Sequence, residues 1–393
     1  MESEKSQETV EKESETVIDF QCELSDLVYG MDVVKRSLGS QRDMPILSGV
    51  RLQVKEDTLE LASTNLEMST ICKIPVSNSG EDGTLILKGD VLAKLTQRME
   101  EDGQVRIKYD PEQDEQVELS HSQITLDLFR MAAEDYPEIP SPPAEPICKL
   151  NKEEFRKAIK QTTFAALKAR ETTRLSLTGV ETILEGGQLK MVATNGYRMA
   201  LKTIQPAESN GEREFLIEAG ALSEWDRILS QIETETLSVY ASEEEIFFAA
   251  GDIIFGDKLI MEEFPEFEGV VPRDNDLPLH LHRSQLLETL RRAQITASEE
   301  SGAVLFKSEE GGSHVNISSS SPEKGEFEEE IELLEVNKGD IEVSFKAEFL
   351  IDALRRMKTE NVTFWLSDSD TAGLLEPTED EEDFIYVCMP ISI

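Results

Sequence analysis

The chain has 393 residues and a mass of 44.1 kDa, which is too long for one ordinary hydrophobic core and predicts two or three domains. Its 80 Asp and Glu residues outnumber 39 Lys and Arg residues, and the formal net charge is -41 at pH 7. Such a charge repels nucleic acid on average, because the phosphates are also negative. Hydrophobic residues make up 39% of the chain, which excludes wholesale disorder.

The first residues and the cysteines both indicate a cytoplasmic protein. Residues 1–16 are rich in Ser, Glu and Thr, contain no apolar run typical of a signal peptide, and are predicted to form a disordered acidic extension. No later run has the length of a transmembrane span, so no membrane partner is expected. Cys22, Cys72, Cys148 and Cys388 are too scattered for a disulfide framework or a paired-thiolate zinc site, and are predicted to be reduced.

Two breaks divide the ordered part of the chain. Residues 136–146 and 264–278 are rich in proline or turn residues, and both are poor material for a helix or a central strand. They predict three domains of normal size, at residues 17–143, 144–276 and 277–393.

A repeated pattern relates these three domains to one another. Leu59–Asn65, with the sequence LELASTN, corresponds to Leu189–Asn195, with the sequence LKMVATN, at an offset of 130 residues. Each segment alternates apolar and polar residues as a strand does, and a second such strand precedes it. Ala303–Gly312 occupies the same place in the third domain.

Two amphipathic helices are predicted in each domain, one near its start and one later. They span residues 24–38, 89–99, 151–167, 220–229, 283–296 and 346–357. Asp90, Asn151 and Ser284 are suitable N-cap residues for three of them. Much of the remaining sequence alternates as antiparallel strands do. The predicted fold class is therefore α+β, with three tandem domains that each pack two helices on antiparallel sheets.

The positive charge of the chain is concentrated in the predicted helices. Six windows over these helices, covering 102 residues, hold 21 Lys and Arg against 13 Asp and Glu, whereas the other 291 residues hold 18 against 67. For any single helix, basic residues on a solvated face are the better explanation. If the three domains place their helices on a common face, these residues form a positive surface that contacts phosphates without reading bases.

The sequence motifs favour neither catalysis nor a cofactor. The glycine-rich phosphate loops of nucleotide-binding proteins are absent from the sequence. His280 and His282 alternate on a predicted strand without a third local ligand, and a solvated strand face explains them better than a metal site. Asp368–Gly373 with Glu379 partly matches a calcium loop, but Ala372 breaks the pattern. The chain is therefore predicted to have no catalytic site, no metal and no cofactor.

Two segments contain residues typical of a binding surface. In Thr194–Met199 an Asn-Gly corner interrupts a strand where Tyr197 and Arg198 are presented, although a plain hairpin turn is the favoured interpretation of these residues alone. Tyr386–Ile393 stays apolar to its last residue. A terminal strand tied into a sheet explains that segment fully, and an apolar peptide groove is the sharper hypothesis.

Five short motifs stand in order along residues 17–393: Pro45–Leu47, Thr64–Glu67, Ala193–Ala200, Phe264–Phe267 and Tyr386–Pro390. With this order and spacing, the sequence resembles the bacterial DNA polymerase III beta subunit family, the beta sliding clamps. The resemblance implies three DNA-clamp domains in a head-to-tail homodimeric ring, with helices around the hole and sheets outside. It implies that the ring encircles double-stranded DNA nonspecifically and tethers the replicative polymerase as a processivity factor, without a catalytic site of its own.

The resemblance also implies a groove between the second and third domains that binds short peptides of partner proteins. The implied partners are the DNA polymerase III alpha subunit, the clamp loader, and other polymerases and repair proteins with clamp-binding peptides. Carried over position by position, the groove residues are Leu177, Thr194, Gly196, Tyr197, Arg198, Met199, Pro265, Val270, Val387, Met389, Pro390 and Ile391.

A dimer seam and a surface for DNA complete the expected sites. The resemblance implies that the seam joins Ile124 and Leu126 of the first domain to Ile295 and Thr296 of the third. The hypothesised DNA contacts on the inner helices are Arg42, Lys94, Arg98, Lys160, Lys168, Arg170, Arg174, Arg291, Arg292, Arg355 and Arg356. Two alternatives stay open: an acidic paralogue of the same fold that acts as a protein-interaction scaffold without DNA loading, and an unrelated hydrolase.

Overall fold

The computed structural model of the chain describes residues 16–40, 44–99, 102–112, 116–378 and 383–392. The acidic extension predicted for residues 1–16 lies outside the described residues, except for Thr16. The chain folds as two compact units. The first comprises residues up to Ser141 together with Asp252–Gly256, and the second comprises Pro142–Gly251 and the residues from Asp257 onwards.

Six α-helices lie within the described residues, two in each predicted domain, and they confirm the predicted α+β class. They are α1 (Leu24–Val34), α2 (Gly89–Thr96), α3 (Lys152–Thr162), α4 (Ala219–Leu229), α5 (Arg283–Thr296) and α6 (Ala347–Leu354). In each domain the first helix follows the first strand, and the two helices pack against one another. In the part of the chain that the structure describes, no helix combines the length and the apolar character needed to span a membrane.

The start of α3 agrees with the predicted N-cap, whereas the starts of α2 and α5 do not. The Asn151 side chain accepts a hydrogen bond from the backbone N–H of Glu154 at 3.1 Å, and so caps α3. Asp90 lies inside the first turn of α2, and Ser284 lies inside the first turn of α5. In both cases the preceding strand runs directly into the helix, so the N-cap positions are Lys88 and His282, although the helices begin at the predicted residues 89 and 283.

The strands of the first unit pair in an antiparallel manner. In spatial order they are Met68–Pro75, Thr58–Thr64, Gly49–Lys55, Gly83–Lys88, Ile124–Met131, Gln116–His121, Gln104–Tyr109, Ile18–Glu23 and Ser77–Asn78. Helix α1 packs on Thr58–Thr64 and Met68–Pro75, and its Leu27 and Met31 are buried. The predicted repeat strand at 59–65 therefore supplies part of the surface that this helix covers.

The second unit contains three groups of antiparallel strands. One group has the spatial order Glu208–Ser209, Cys148–Asn151, Thr236–Ala241 and Glu245–Ala250. A four-stranded sheet has the order Gly325–Glu332, His314–Ser321, Ala303–Ser308 and Ile341–Lys346. An eight-stranded sheet has the order Arg213–Glu218, Gly179–Glu185, Gln188–Thr194, Arg198–Ile204, Phe384–Cys388, Gly373–Pro377, Asn361–Leu366 and Leu277–His282. The chain also forms the strand Ile253–Lys258.

Aromatic side chains fill the space between helices and sheets in this unit. The Phe248 ring lies 5.4 Å from that of Phe155 on α3 and 5.9 Å from that of Trp225 on α4. Trp225 is fully buried. Because both helices pack their aromatic faces on the same ring, their opposite faces are left for solvent or a ligand.

The eight-stranded sheet joins the central domain to the C-terminal domain. Arg198–Ile204 pairs with Phe384–Cys388, with Met199 opposite Val387. After this strand the backbone N–H of Met389 donates to the carbonyl oxygen of Tyr197 at 2.9 Å. The two segments that the sequence singled out as a binding surface therefore lie side by side.

Replacement of Asn151 by Ala should destabilise the fold by about 1 kcal/mol, because the N–H of Glu154 loses its acceptor. Ser284→Ala is the matched control, since Ser284 lies inside α5 and its loss should change the free energy of unfolding by less than about 0.5 kcal/mol. Urea unfolding followed by circular dichroism measures both values. Equal effects of the two substitutions would contradict the capping role of Asn151.

Candidate functional site

A groove with a cavity volume of about 210 Å³ lies where the central and C-terminal domains share a sheet. It is lined by Arg174, Leu177, Thr194, Gly196, Tyr197, Arg198, Met199, Pro265, Glu266, Phe267, Val270, Val387 and Met389. The structure thus brings together ten of the twelve expected groove residues, while Pro390 and Ile391 are not part of the lining. Arg174, Glu266 and Phe267 line the groove although the sequence analysis did not place them there.

The floor of the groove is a buried apolar cluster. Val192 and Met199 of the central domain pack with Leu374 and Val387 of the C-terminal domain, and each of the four is at most 5% exposed. The rim is different, because Tyr197, Val270 and Met389 are 68%, 47% and 39% exposed. Exposed apolar side chains around a concave, firmly packed floor are typical of a surface that binds an apolar partner.

Tyr197 stands at the tip of a turn that Asn195 holds in place. The Asn195 Oδ1 accepts hydrogen bonds from the backbone N–H groups of Tyr197 and Arg198, both at 3.0 Å. Gly196 adopts a φ of 86°, in the left-handed region that glycine enters without steric cost. Hydrogen bonds within the turn therefore hold the backbone of Tyr197 in place, and its ring is exposed at the rim.

The turn at Asn65 in the first domain repeats these hydrogen bonds. The Asn65 Oδ1 accepts from the backbone N–H groups of Glu67 and Met68 at 3.0 and 2.7 Å. Leu66, with a φ of 77°, stands in the place of Gly196. Both domains therefore contain the same turn, in agreement with the hairpin turn predicted from the sequence. The exposed aromatic ring of Tyr197 distinguishes the turn of the central domain from that of the first domain.

Arg198 connects the two domains behind the groove. Its guanidinium donates to Asp352 Oδ2 at 2.8 Å and to the carbonyl oxygen of Phe164 at 2.6 Å. It also lies over the rings of Phe164 and Phe349, at 5.3 and 4.6 Å from their centroids. Only 11% of its side chain is exposed. Arg198 therefore contributes mainly a buried link between the central domain and α6, with its charge compensated by Asp352.

Arg356 packs on the same ring and is less available to DNA than expected. Its guanidinium carbon lies 4.1 Å from the centroid of the Phe164 ring, and its Nη1 donates to the carbonyl oxygen of Asp352 at 2.6 Å. Burial lowers the pKa of Arg356 from its ordinary value. This residue supports the domain junction, which is a structural role that the sequence analysis did not anticipate.

A basic hollow of about 380 Å³ lies beside α3 and the end of α6. Its lining is Glu153, Glu154, Arg156, Lys157, Lys160, Gln161, Arg355, Arg356 and Lys358. Six of these side chains are basic and two are acidic. Asp226 compensates part of the charge, at 2.9 Å from Arg156 and 3.5 Å from Lys160. Arg355 and Lys358 are exposed, and neither forms an ion pair with another described residue.

The other expected DNA contacts differ in how far their charge is compensated. Ion pairs hold Lys94 with Asp90, Arg170 with Glu171, Arg291 with Glu288, and Arg292 with Glu329. Arg98 and Lys168 are exposed, and Arg174 lines the groove. Arg42 lies outside the described residues.

The expected seam residues lie at or near open strand edges. Residues 124–129 pair with Gln116–His121 on one side, whereas pairing with Gly83–Lys88 on the other side begins only at Arg130. Ile124 is 41% exposed, Leu126 is half-buried, and Phe129, which was not predicted, is 77% exposed.

In the third domain, the strand Gly325–Glu332 ends the four-stranded sheet. Ile295 on α5 is 70% exposed, while the hydroxyl of Thr296 is within 2.7 Å of the Ser319 hydroxyl. Each unit thus has an open edge with an exposed apolar side chain on it or near it.

The histidines and the calcium-like loop have structural roles. The Nδ1 atoms of His280 and His282 lie 3.1 and 2.9 Å from oxygens of Thr363 and Asn361 on the neighbouring strand. The Asp368 Oδ1 accepts from the backbone N–H of Asp370 within a hairpin turn. In the described ranges of the chain, no group of three or more His, Cys, Asp and Glu is arranged to hold a metal ion.

Behind the groove wall lie two cavities, of about 410 and 600 Å³, that the sequence analysis missed. Pro265, Glu266 and Phe267 line both the groove and the smaller of these cavities. The carboxylates of the smaller one are Glu181, Glu214, Glu266 and Glu268. Those of the larger one are Glu181, Glu214, Glu243, Glu262 and Glu263. These two spaces are called the carboxylate cavities.

Glu181 is the buried member of this group. It is 4% exposed and lies diagonally across the strand pair from Glu214, within reach of that side chain. Burial, together with Glu214, raises the pKa of Glu181 to about 8, so that it holds a proton at neutral pH. The repeat contains a sequence signal for this site. The position that corresponds to Glu181 in the first domain, 130 residues earlier, is Arg51, which forms an ion pair with Glu60. The central domain thus has an acidic residue where the first domain has a basic one.

Comparison with solved structures identifies the class to which this fold belongs. A sliding clamp from Pseudomonas aeruginosa, in a crystal structure with griselimycin bound, is 25% identical and matches 96% of this chain and 100% of that chain with a TM-score of 0.89. The DNA polymerase sliding clamp from Bacillus subtilis, at 20% identity, shares the fold with a TM-score of 0.89 over 96% of this chain and 99% of that chain. The fold is that of the DNA polymerase sliding clamps.

The sequence relatives give the family itself. The DNA polymerase III beta subunit family matches with its N-terminal domain at residues 18–140, its central domain at 149–266 and its C-terminal domain at 268–392. The beta sliding clamp of Pseudomonas aeruginosa is 27% identical over 375 residues, which cover 95% of this chain and all of the relative. The chain belongs to the DNA polymerase III beta subunit family, and the family predicted from the sequence is confirmed.

The raised pKa of Glu181 makes stability depend on pH. Between the usual Glu value of about 4.3 and a pKa of about 8, the folded state keeps a proton that the unfolded state has lost, so stability falls as the pH rises through this window. Glu181→Gln removes this loss. Between pH 5 and pH 8 the free energy of unfolding of the variant should rise by at least about 1 kcal/mol relative to that of the unmodified protein, which corresponds to roughly one pKa unit.

Urea unfolding at the two pH values measures this difference. The exposed Glu185, on the same strand, provides the control substitution Glu185→Gln. A gain of the same size in both variants would refute the special position of Glu181.

Proposed function

We propose that this chain is a DNA sliding clamp that encircles duplex DNA and tethers the replicative polymerase. The observation that carries this function is the basic hollow of α3 and α6 in a chain with a net charge of -41. Lys and Arg side chains of this kind bind phosphates through charge and carry no base preference. Such contacts exchange readily along the DNA, which is what sliding requires.

In this role the chain acts as a processivity factor and catalyses no reaction. A ring around DNA stays linked to it even when every individual phosphate contact is broken. Retention on DNA therefore depends on closure of the ring, and the contacts need only keep the duplex aligned. We place this activity in the bacterial cytoplasm, where the proposed DNA and protein partners are found.

Closure of the ring requires a second copy of the chain, joined head to tail. The open edge at residues 124–129 exposes Ile124 and Phe129, and such edges favour pairing with another strand. The C-terminal domain offers Gly325–Glu332 as a different open edge, with Ile295 exposed on α5. Pairing between the two kinds of edge gives a heterologous contact, and two such contacts close a dimer.

The groove is the proposed dock for peptides of the DNA polymerase III alpha subunit, the clamp loader, and other polymerases and repair proteins. Its floor is preformed and its rim carries Tyr197, Val270 and Met389, so apolar anchors of an extended peptide can displace water there. The basic hollow, with Arg355 and Lys358 exposed, argues against the scaffold alternative, in which DNA loading has been lost.

Arg355 and Lys358 should contribute more to DNA binding than Arg291 and Arg292. The first two lack ion pairs among the described residues, whereas Glu288 and Glu329 compensate the second two. Arg355→Ser with Lys358→Ser should lower the salt slope of DNA binding by about 1 for each lost phosphate contact. Binding is measured as clamp loaded on nicked circular DNA at several salt concentrations.

Arg291→Ser with Arg292→Ser is the matched control and should change this slope by less than half as much. The same assay tests the ring, because cutting the circle must release the unmodified protein from the DNA ends. Retention on linear DNA with free ends would refute sliding, and equal slopes for the two double variants would refute the assignment of Arg355 and Lys358.

Met389→Asp should weaken binding of an apolar-anchored peptide by about 30-fold or more, as expected for a groove contact worth about 2 kcal/mol. The probe is a labelled synthetic peptide with one Gln and two large apolar residues, and its dissociation constant is measured by fluorescence anisotropy. Val336→Asp, at an apolar position that is 62% exposed outside the groove, should leave the affinity unchanged. Unchanged affinity in Met389→Asp would exclude the groove as the dock.

A further inference from the structure

The carboxylate cavities are the strongest feature outside the groove, since every ionisable residue in their linings is a Glu. Glu181 and Glu214 line both, and within the described residues neither cavity has a Lys, Arg or His in its lining. Some carboxylates elsewhere on this unit are compensated, as Asp226 is by Arg156 and Asp352 by Arg198. A cationic side chain that enters either cavity therefore meets several carboxylates and no competing cation.

Glu181 contributes a buried carboxyl group to both cavities. It is 4% exposed, lines both cavities, and has another carboxyl group, Glu214, as its charged neighbour. A buried carboxylate without a cation is unfavourable, and here the carboxyl group holds a proton because its pKa is raised to about 8. A cation beside it would let it ionise and form a charge-assisted hydrogen bond.

The groove and the smaller carboxylate cavity share one wall. Phe264 and Phe267 pack against the apolar cluster and are half-buried, while the side chains of Glu266 and Glu268 are exposed. The rings of Phe264 and Phe267 pack edge to face at 6.2 Å, which supports the wall. A peptide that continues past this wall from the groove meets Glu266 first and then the other carboxylates.

We infer that the partner peptides of this clamp carry Lys or Arg residues next to their apolar anchors, and that these cationic side chains enter the carboxylate cavities beside residues 264–268. The inference rests on the proposed function of the groove. Arg174, on the groove lining, repels such residues, and the charge of Arg198 is compensated by Asp352. The basic residues of the peptide therefore belong on the side of Glu266.

Three synthetic peptides test this preference on the full chain. All share the same Gln and apolar anchors, and they differ only in flanks of Lys-Lys, Ser-Ser or Glu-Glu on both sides of the anchors. The Lys-flanked peptide should bind at least tenfold more tightly than the Glu-flanked one at low salt, with the Ser-flanked peptide between them. This ratio should shrink as salt is raised, because the interaction is between charges near the surface.

Glu214→Gln with Glu268→Gln, which line the smaller carboxylate cavity and not the groove, should reduce the preference for Lys flanks at least threefold and leave the affinity of the Ser-flanked peptide unchanged. Glu309→Gln with Glu310→Gln removes two exposed carboxylates that line neither cavity and should change nothing. Equal binding of all three peptides to the unmodified protein overturns this inference and leaves the groove intact. If no peptide binds, the groove fails as a dock and the inference fails with it.

Discussion

The antiparallel pairing of Arg198–Ile204 with Phe384–Cys388 is the contact on which the groove depends. It places Met199 beside Val387, and around these two residues the central and C-terminal domains build one buried apolar cluster. Neither domain alone contains the floor of the groove. The hydrogen bond from the Met389 N–H to the Tyr197 carbonyl continues the pairing to the rim. A partner peptide bound there contacts the junction of two domains and not one domain surface.

Arg198 shows why this junction is rigid. Its guanidinium satisfies the Phe164 carbonyl and the Asp352 carboxylate, and the Phe164 and Phe349 rings cover its faces. A largely buried arginine is tolerated where its charge is paired, and here Asp352 pairs the charge while both Nη atoms donate hydrogen bonds. The rim residue Tyr197 is attached to this fixed position by a turn that Asn195 closes, so the groove exists before any peptide arrives.

The elements were predictable where the signal is local. The apolar period of residues 283–296 gives the bounds of α5, and the repeat at 59–65 and 189–195 predicts two matching strands and turns. Segment composition also singled out Thr194–Met199 and the C-terminal segment as two separate candidate binding segments, and only the family resemblance placed them in one groove. Adjacency of distant strands follows from the pairing of the whole chain, and no local pattern contains it.

The errors have the same origin. Asp90 and Ser284 have the propensity of N-caps, but strands that continue into the helices override that propensity. Arg356 was grouped with the DNA contacts by its charge, and its packing on Phe164 depends on a residue of another domain. The sequence analysis did not single out Glu181 from the 80 acidic residues. Its burial and its contact with Glu214 distinguish it, and both are visible only in the structure.

The wall at residues 264–270 gives the acidity of this chain a local consequence. Phe264 and Phe267 pack against the apolar cluster while Glu266 and Glu268 are exposed, so one short segment borders both the apolar groove and the smaller carboxylate cavity. Within the described chain no Lys, Arg or His lines the two cavities, so no basic side chain in their linings compensates these carboxylates. Buried and clustered carboxylates are unfavourable without a cation. No basic side chain of the described linings interacts with them, so a basic side chain of a partner gains the full interaction when it binds.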